Sequence, residues 1–246
     1  MLKIEKTVLP SSEQWEIIIE GMRNPMNSWD KMDSEFKVEW IDDSVWPHEY
    51  GFDEVQLGDN DHDLMTRLAK GGPVHGKYRR MIPVFLTINA PLYWWKEFDT
   101  YKVGTVCNSC STMHKIHANP FTMDDFSHEH LIDDGYVIDD ENCFLSPMNC
   151  LREQVVTLNM IRNKYFEVKN KPMKDESKRH ENMKRWWWQL IQLLPTSYNQ
   201  KRTIMLNYEV LVNIYHSRKN HKLDEWRTFC DWIEKLPYSE LITGDE

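Results

Sequence analysis

Four soft donors fall close together in this chain: Cys107 and Cys110, spaced C-x-x-C, then His114 and His117. That spacing lets two thiolates close on one metal ion or on each other. Cys143 and Cys150 do not repeat it, so no metal site is assigned and the thiols are read as buried and inert. A zinc-stabilised interaction module remains the alternative. The acidic runs Asp133-Asp134-Gly135 and Asp139-Asp140-Glu141 lack the spacing of a calcium loop and read as solvated carboxylates. His62-Asp63 is too short a motif to carry information. Trp186-Trp187-Trp188 offers flat rings to a planar ligand, but its place in a helical stripe puts it in the core first.

Polar groups in the C-terminal region are more telling. On a helix expected over 203–221, Asn207 and Arg218 stand about 20° apart and Asn213 about 120° from Asn207, at about 100° per residue. Their neighbours Leu206, Leu211, Val212, Ile214 and Tyr215 are apolar. An amide buried there without a partner costs about 1–3 kcal/mol, so each calls for a ligand, a subunit contact, a cap or solvent.

Elements that position these groups follow from periodicity. Residues 3–9 alternate as a strand, and Ser11-Ser12-Glu13-Gln14 then caps a helix carrying Trp15, Ile18, Ile19 and Met22. Phe36, Val38 and Trp40 alternate again, a long loop is expected within 42–60, and 61–70 is helical up to Gly71-Gly72-Pro73. Residues 82–89 form the clearest strand, with Ile82, Val84, Leu86 and Ile88 on one side, and an aromatic helix or turn covers 92–98. The stretch 119–150 reads as an acidic flap or insertion containing a hairpin. Thereafter the chain is helical: one stripe runs through Leu151, Val155, Leu158 and Ile161, a second through Met183, Trp186, Trp187, Leu190, Ile191 and Leu194, and a last helix spans 224–236.

The chain has 246 residues, 11 of them Trp, with 30 Lys and Arg against 39 Asp and Glu, a net charge of −9. Such ring content demands a packed core. An acidic balance disfavours nonspecific binding to a phosphate backbone, so no nucleic-acid partner is expected, although a local anion pocket is compatible with it. No apolar run reaches the roughly 20 residues of a bilayer span, and the first residues lack a signal-peptide core. A cytoplasmic protein without a membrane partner is the expectation. Five cysteines in a chain of this size argue against a disulfide framework. Together these readings give a single α+β domain over 1–246.

Three blocks resemble the flavin-dependent thymidylate synthases (ThyX). Residues 61–75, followed by the strand to Asn89-Ala90-Pro91, are similar to that family's helix, its His-Gly-His-Glu-type turn and its strand ending in Ala-Pro; His75 falls on the second histidine. Residues 95–111 resemble its Arg-His-Arg signature, with Thr100-Tyr101-Lys102 or Tyr101-Lys102-Val103 at the triplet and Asn108 and Ser111 on the family's Asn and Ser. Leu194-Pro195 with Asn207, Asn213 and Arg218 aligns without a gap on its Leu-Pro and following helix, and Arg23 falls near its early arginine loop. The match spans roughly half the chain. Met113 after the serine and Ile191 before Pro195 depart from the pattern, as does the loss of the triplet arginines, which are forked phosphate donors. Lys102, Lys115, His114, His117 and Arg218 are the cations left to replace them.

The resemblance implies a ThyX-like fold, a central mostly antiparallel sheet flanked by helices with a helical C-terminal half. It further implies reductive methylation of dUMP to dTMP with FAD, methylenetetrahydrofolate and NADPH, at sites between subunits of a homotetramer. His75, Lys102, Asn108, Asn207 and Asn213 would hold FAD. Tyr101, Ser109, Ser111, His114 and Arg218 would hold the nucleotide, with Lys102, Ser111 and Arg218 taking the catalytic roles. A catalytically altered or inactive nucleotide- or flavin-binding relative is the rival that the missing arginines motivate.

Overall fold

A computed structural model describes residues 1–38, 53–134, 136–137, 144–172 and 174–244 of the chain. Strand β1 (Lys3–Val8) leads into α1 (Ser12–Arg23), and the turn between them is fixed by a reciprocal cap. The Ser11 hydroxyl oxygen accepts from the Gln14 backbone N–H, and the Gln14 side chain accepts from Ser11 N at 3.0 Å. Strands β2 (Glu35–Val38) and β3 (Asp53–Gln56) pair antiparallel with Phe36 opposite Val55. The loop expected over 42–60 therefore ends in a strand that its polar sequence hides. Trp40 lies outside the described residues.

Helix α2 (Asp59–Lys70) stops at Gly71, and the 3-10 turn Gly76–Met81 delivers the chain to β4 (Pro83–Pro91). Ile82, Val84, Leu86 and Ile88 are all buried while Phe85 faces out, as the alternation requires. Next come α3 (Leu92–Phe98) and β5 (Val106–Ser109), then the hairpin of β6 (Tyr136–Val137) and β7 (Phe144–Leu145). Two long helices follow, α4 (Pro147–Asn170) and α5 (Glu176–Leu193), with the Asp175 side chain capping the second.

Residues 203–207 depart from the helix expected over 203–221: Asn199–Asn207 is strand β8, and α6 (Tyr208–Arg218) starts only after it. Asn207 is the hinge, extended at φ −136° with its Oδ1 accepting from Val210 N at 3.1 Å. Helices α7 (Asp224–Ile233) and α8 (Glu240–Thr243) complete an α+β fold built on a four-stranded antiparallel sheet of order β1-β4-β8-β5. No described helix is long and apolar enough to cross a membrane.

Internal contacts divide the chain into two compact units, Met1–Lys3 with Asn89–Asp99 and Ser109–Arg202, and Ile4–Ile88 with Thr100–Asn108 and Thr203–Glu246. The first has its own core, where Phe121, Phe126, Leu151, Val155, Leu158 and Leu190 pack against one another. Trp95 is tied in by its Nε1, which donates to Gln200 O at 2.8 Å, and by the Arg202 guanidinium 4.4 Å over its ring. In the second unit the Trp15 ring packs edge-on against Tyr208 at 6.4 Å. There, too, Arg23 is 2% exposed and its Nε donates to Asp61 Oδ1 at 2.6 Å. Asp61 Oδ2 accepts from the N–H groups of Asp33 and Ser34 and from the Ser34 hydroxyl. Arg23, the last residue of α1, thus holds the loop that follows, its Nε on Asp61 and its Nη1 donating to Ser28 O at 3.2 Å.

Candidate functional site

In the second unit a cavity of about 730 Å³ opens beside the N-terminal end of α6. Its size suits a cofactor or nucleotide, for which clefts of roughly 300–1,000 Å³ are usual. Asn207 and Asn213 both line it, so the structure brings these two sequence-assigned amides to one place. They do so by different routes. Asn207 caps the helix, and Asn213 is an exposed residue on the second turn of the helix itself.

Gly104 forms another part of the wall. At φ +79° it occupies the left-handed region, and a Cβ there would stand 3.1 Å from Val210 Cγ2 and 3.2 Å from Asn207 Nδ2. Glycine keeps that space open. The turn it belongs to is closed by Thr105 N donating to Lys102 O, and Lys102 itself projects as an exposed cation.

Arg218, at the C-terminal end of α6, is held by two aromatic residues. Its Nε donates to the Tyr101 hydroxyl at 2.9 Å, and its guanidinium lies 4.8 Å from the Trp226 ring centroid and 5.7 Å from that of Tyr101. The hydrogen bond to Tyr101 and the two ring contacts hold the planar fork in one orientation. Tyr101 and Arg218 therefore act as one group.

His75 stands apart from the asparagines. It lines a separate groove of about 450 Å³, with Met22, Met26, Leu68, Tyr78 and Met81 among its neighbours. The Tyr78 hydroxyl there donates to Met65 O at 2.9 Å, and burial pushes its pKa above the usual phenol value, so it stays protonated. Asn108 lies exposed in β5.

Ser109, Ser111 and His114 belong to the first unit. The Ser111 Oγ accepts from the backbone N–H of His114 at 2.8 Å and of Met113 at 3.3 Å, a local turn that leaves its own proton to be donated. Ser109 ends β5, and the His114 side chain is exposed. The C-x-x-C cysteines are exposed free thiols, which corrects the expectation of burial. Among the described residues no three His, Cys, Asp or Glu side chains gather as a metal site. His117 instead packs 4.3 Å from the Tyr165 ring and 5.8 Å from Phe166. Burial, with Lys169, Arg162 and Lys115 nearby, holds its pKa below the usual imidazole value. Asp133 is taken by Arg152, which donates to its two oxygens at 2.8 and 2.9 Å; Asp139, Asp140, Glu141 and Cys143 lie outside the described residues. In the tryptophan triplet, Trp186 packs on the first unit's core, Trp187 Nε1 donates to Met113 O at 2.7 Å, and Trp188 is 42% exposed.

Sequence reasoning missed the charged pair in the cavity wall. Arg79 Nη2 lies 2.9 Å from Glu209 Oε2, with both side chains almost fully buried. The signal that pointed there was the basic run Lys77-Tyr78-Arg79-Arg80 immediately after the glycine turn.

No protein-family model matches the chain, and no curated protein matches it by sequence. Solved structures do match. Thymidylate synthase X from Helicobacter pylori, with FAD and dUMP, superposes with a TM-score of 0.58 at 13% identity, covering 98% of this chain and 95% of that one. A second structure of that flavin-dependent enzyme, also with FAD and dUMP, gives 0.56 at 13% identity, covering 98% and 96%. The UMP/dUMP methylase PolB from Streptomyces cacaoi, bound with 5-Br dUMP, gives 0.52 at 13% identity, covering 99% and 94%. The chain has the ThyX-like fold.

Proposed function

We propose that this chain is a flavin-dependent thymidylate synthase-like enzyme, binding FAD and a pyrimidine nucleotide and methylating dUMP to dTMP with methylenetetrahydrofolate and NADPH. The observation that carries the reading is the cavity lined by Asn207 and Asn213, two residues of the gap-free block of the sequence resemblance, in a chain with the ThyX-like fold. The residues present fit a dinucleotide cofactor: the cavity is large enough, glycine keeps it open, and amides line it. Bound FAD, once reduced, supplies hydride; the hard chemistry is the cofactor's.

The chain's own residues supply binding and orientation. Asn207 and Asn213 hold the cofactor, and His75, Lys102 and Asn108 are assigned to it by the same resemblance. Arg218 meets negative charge on the nucleotide with a fork that Tyr101 and Trp226 keep from rotating, so little is lost to ordering on binding. Lys102 adds a point charge. Ser111 donates its hydroxyl proton to a nucleotide oxygen, with Ser109 and His114 as further contacts. Among the described residues no base stands in hydrogen-bond contact with the Ser111 oxygen, which suits a binding hydroxyl and not a nucleophile. A homotetramer with sites between subunits belongs to this reading.

Incubating the purified chain with FAD, dUMP, methylenetetrahydrofolate and NADPH and measuring dTMP tests the proposal. Formation of dTMP that is lost in Arg218→Ala is the expected result. Binding of FAD and dUMP without dTMP would assign the chain to the rival, a binding relative of the same fold that has lost catalysis.

A further inference from the structure

Three residues that line the large cavity each carry a buried polar atom with no aligned hydrogen-bond partner: Thr66 Oγ1, Arg79 Nε and Glu209 Oε2. Burying such an atom unpaired costs about 1–3 kcal/mol, and native structures leave few of them without a reason. Arg79 and Glu209 do neutralise each other as an ion pair at 2.9 Å, but off the axis of a hydrogen bond, so each keeps unused capacity. Arg79 is held flat. Its guanidinium lies over Gly76, where a Cβ would come within 3.0 Å of Nη2, and its Nη1 donates to Leu241 O at 3.3 Å. The wall therefore offers one carboxylate acceptor, one fixed N–H donor and one hydroxyl that can do either.

A phosphate does not suit this combination, because Glu209 repels it and has already cancelled the Arg79 charge. Uncharged hydroxyls do suit it: each donates to a carboxylate oxygen and accepts from an N–H or a threonine O–H. Carboxylates elsewhere read the ribose hydroxyls of dinucleotides in this way. Lys70 and Arg80, also in the lining, place positive charge where the anionic part of the same ligand can go, and Ala69, Val210 and Ile242 give apolar surface to a base.

We propose that Glu209, Arg79 and Thr66 form a receptor for the vicinal diol of a ribose, so that this cavity selects a ribonucleoside diphosphate moiety over its deoxy counterpart. It rests on the reading of the cavity as the cofactor site and assigns to that site the ribose of the cofactor's nucleotide half. Thr66 comes from α2, Arg79 from the 3-10 turn Gly76–Met81 and Glu209 from the first turn of α6, so the receptor requires those three segments to be folded together.

The test is calorimetric titration of the full chain with ADP, 2′-deoxy-ADP and 2′,3′-dideoxy-ADP, and separately with FAD. ADP is expected to bind at least tenfold more tightly than 2′,3′-dideoxy-ADP. Glu209→Gln and Thr66→Val, each shown by circular dichroism to be folded, should shrink that ratio to about threefold or less. Thr66→Val leaves the Arg79 ion pair intact, so the comparison survives if Glu209→Gln does not fold. Equal affinity for the three nucleotides in a chain that binds FAD overturns the diol receptor and leaves the functional proposal standing. Discrimination among the nucleotides without FAD binding does the reverse, and binding of neither overturns both.

Discussion

The Tyr101 hydroxyl accepts the Arg218 Nε proton at 2.9 Å, and the Trp226 ring covers the same guanidinium at 4.8 Å. A side chain with several free torsions is thereby reduced to one orientation before any ligand arrives. Tyr101→Phe removes the hydroxyl that accepts from Arg218 while keeping the ring, and should weaken dUMP binding about tenfold, worth about 1.4 kcal/mol. Arg218→Ala should abolish it. Fluorescence titration with dUMP reads both, and unchanged affinity in the phenylalanine variant would show that the pair does not position the arginine for nucleotide.

Gly104 and Gly72 make a matched pair. Both have positive φ, +79° and +85°, so alanine strains either backbone by about 1–2 kcal/mol. A Cβ at 104 runs into Val210 and Asn207, whereas at 72 it meets nothing within 4 Å. Gly104→Ala should therefore lose FAD affinity much more than Gly72→Ala at similar melting temperatures. Both glycines line the cavity, so equal losses, read by flavin fluorescence quenching, would show that the contact with Val210 and Asn207 does not set the effect.

Asp61 is fully buried and takes four hydrogen bonds, one of them from the buried Arg23. Asp61→Ala strands a guanidinium without its counter-charge, at a cost of about 3–5 kcal/mol. Chemical denaturation should show that loss. A cost under about 1 kcal/mol would mean that solvent reaches the pair.

Burial, with Asp231 and Glu234 adding negative charge, pushes the Cys230 thiol up to about 11. At pH 8 it stays protonated, whereas Cys107, Cys110 and Cys150 are exposed. Alkylation followed by mass spectrometry should label those three first and Cys230 only on unfolding. Early labelling of Cys230 would contradict its burial.

His117 titrates below the usual imidazole range in the folded chain, so the unfolded chain takes up its proton first as pH falls. The stability tied to its neutral form is complete above about pH 6.5 and declines as pH falls through the folded value. Replacing it, as in His117→Gln, should flatten the fall in melting temperature between pH 7.5 and 5.5. An unchanged slope would show that carboxylates, not this ring, set the acid sensitivity.

Much of the fold was legible because its signals are local. Ile82, Val84, Leu86 and Ile88 alternate without interruption, and Ser11 with Gln14 spells a helix start. The β8 strand was read as helix because Leu206, Val210 and Ile214 follow one another in steps of four, so the helical period runs backward across the cap at Asn207. Ile204 and Leu206 are buried, with Thr203 exposed and Met205 half-buried, which is the period of a strand. Strand Asp53–Gln56 carries one apolar residue, Val55, and becomes recognisable only beside Phe36. Asn207 and Asn213 stand out in the sequence because they interrupt an apolar run. Arg79 and Glu209 did not, since a pair so distant in sequence exists only once the turn Gly76–Met81 and α6 are folded together.

The most direct test is the absorbance spectrum of the purified chain, followed by titration with FAD. The account requires flavin bands around 375 and 450 nm, or their appearance with stoichiometric binding when FAD is added, and a loss of that binding in Asn207→Ala and Asn213→Ala. A folded, colourless chain that ignores added FAD would contradict it.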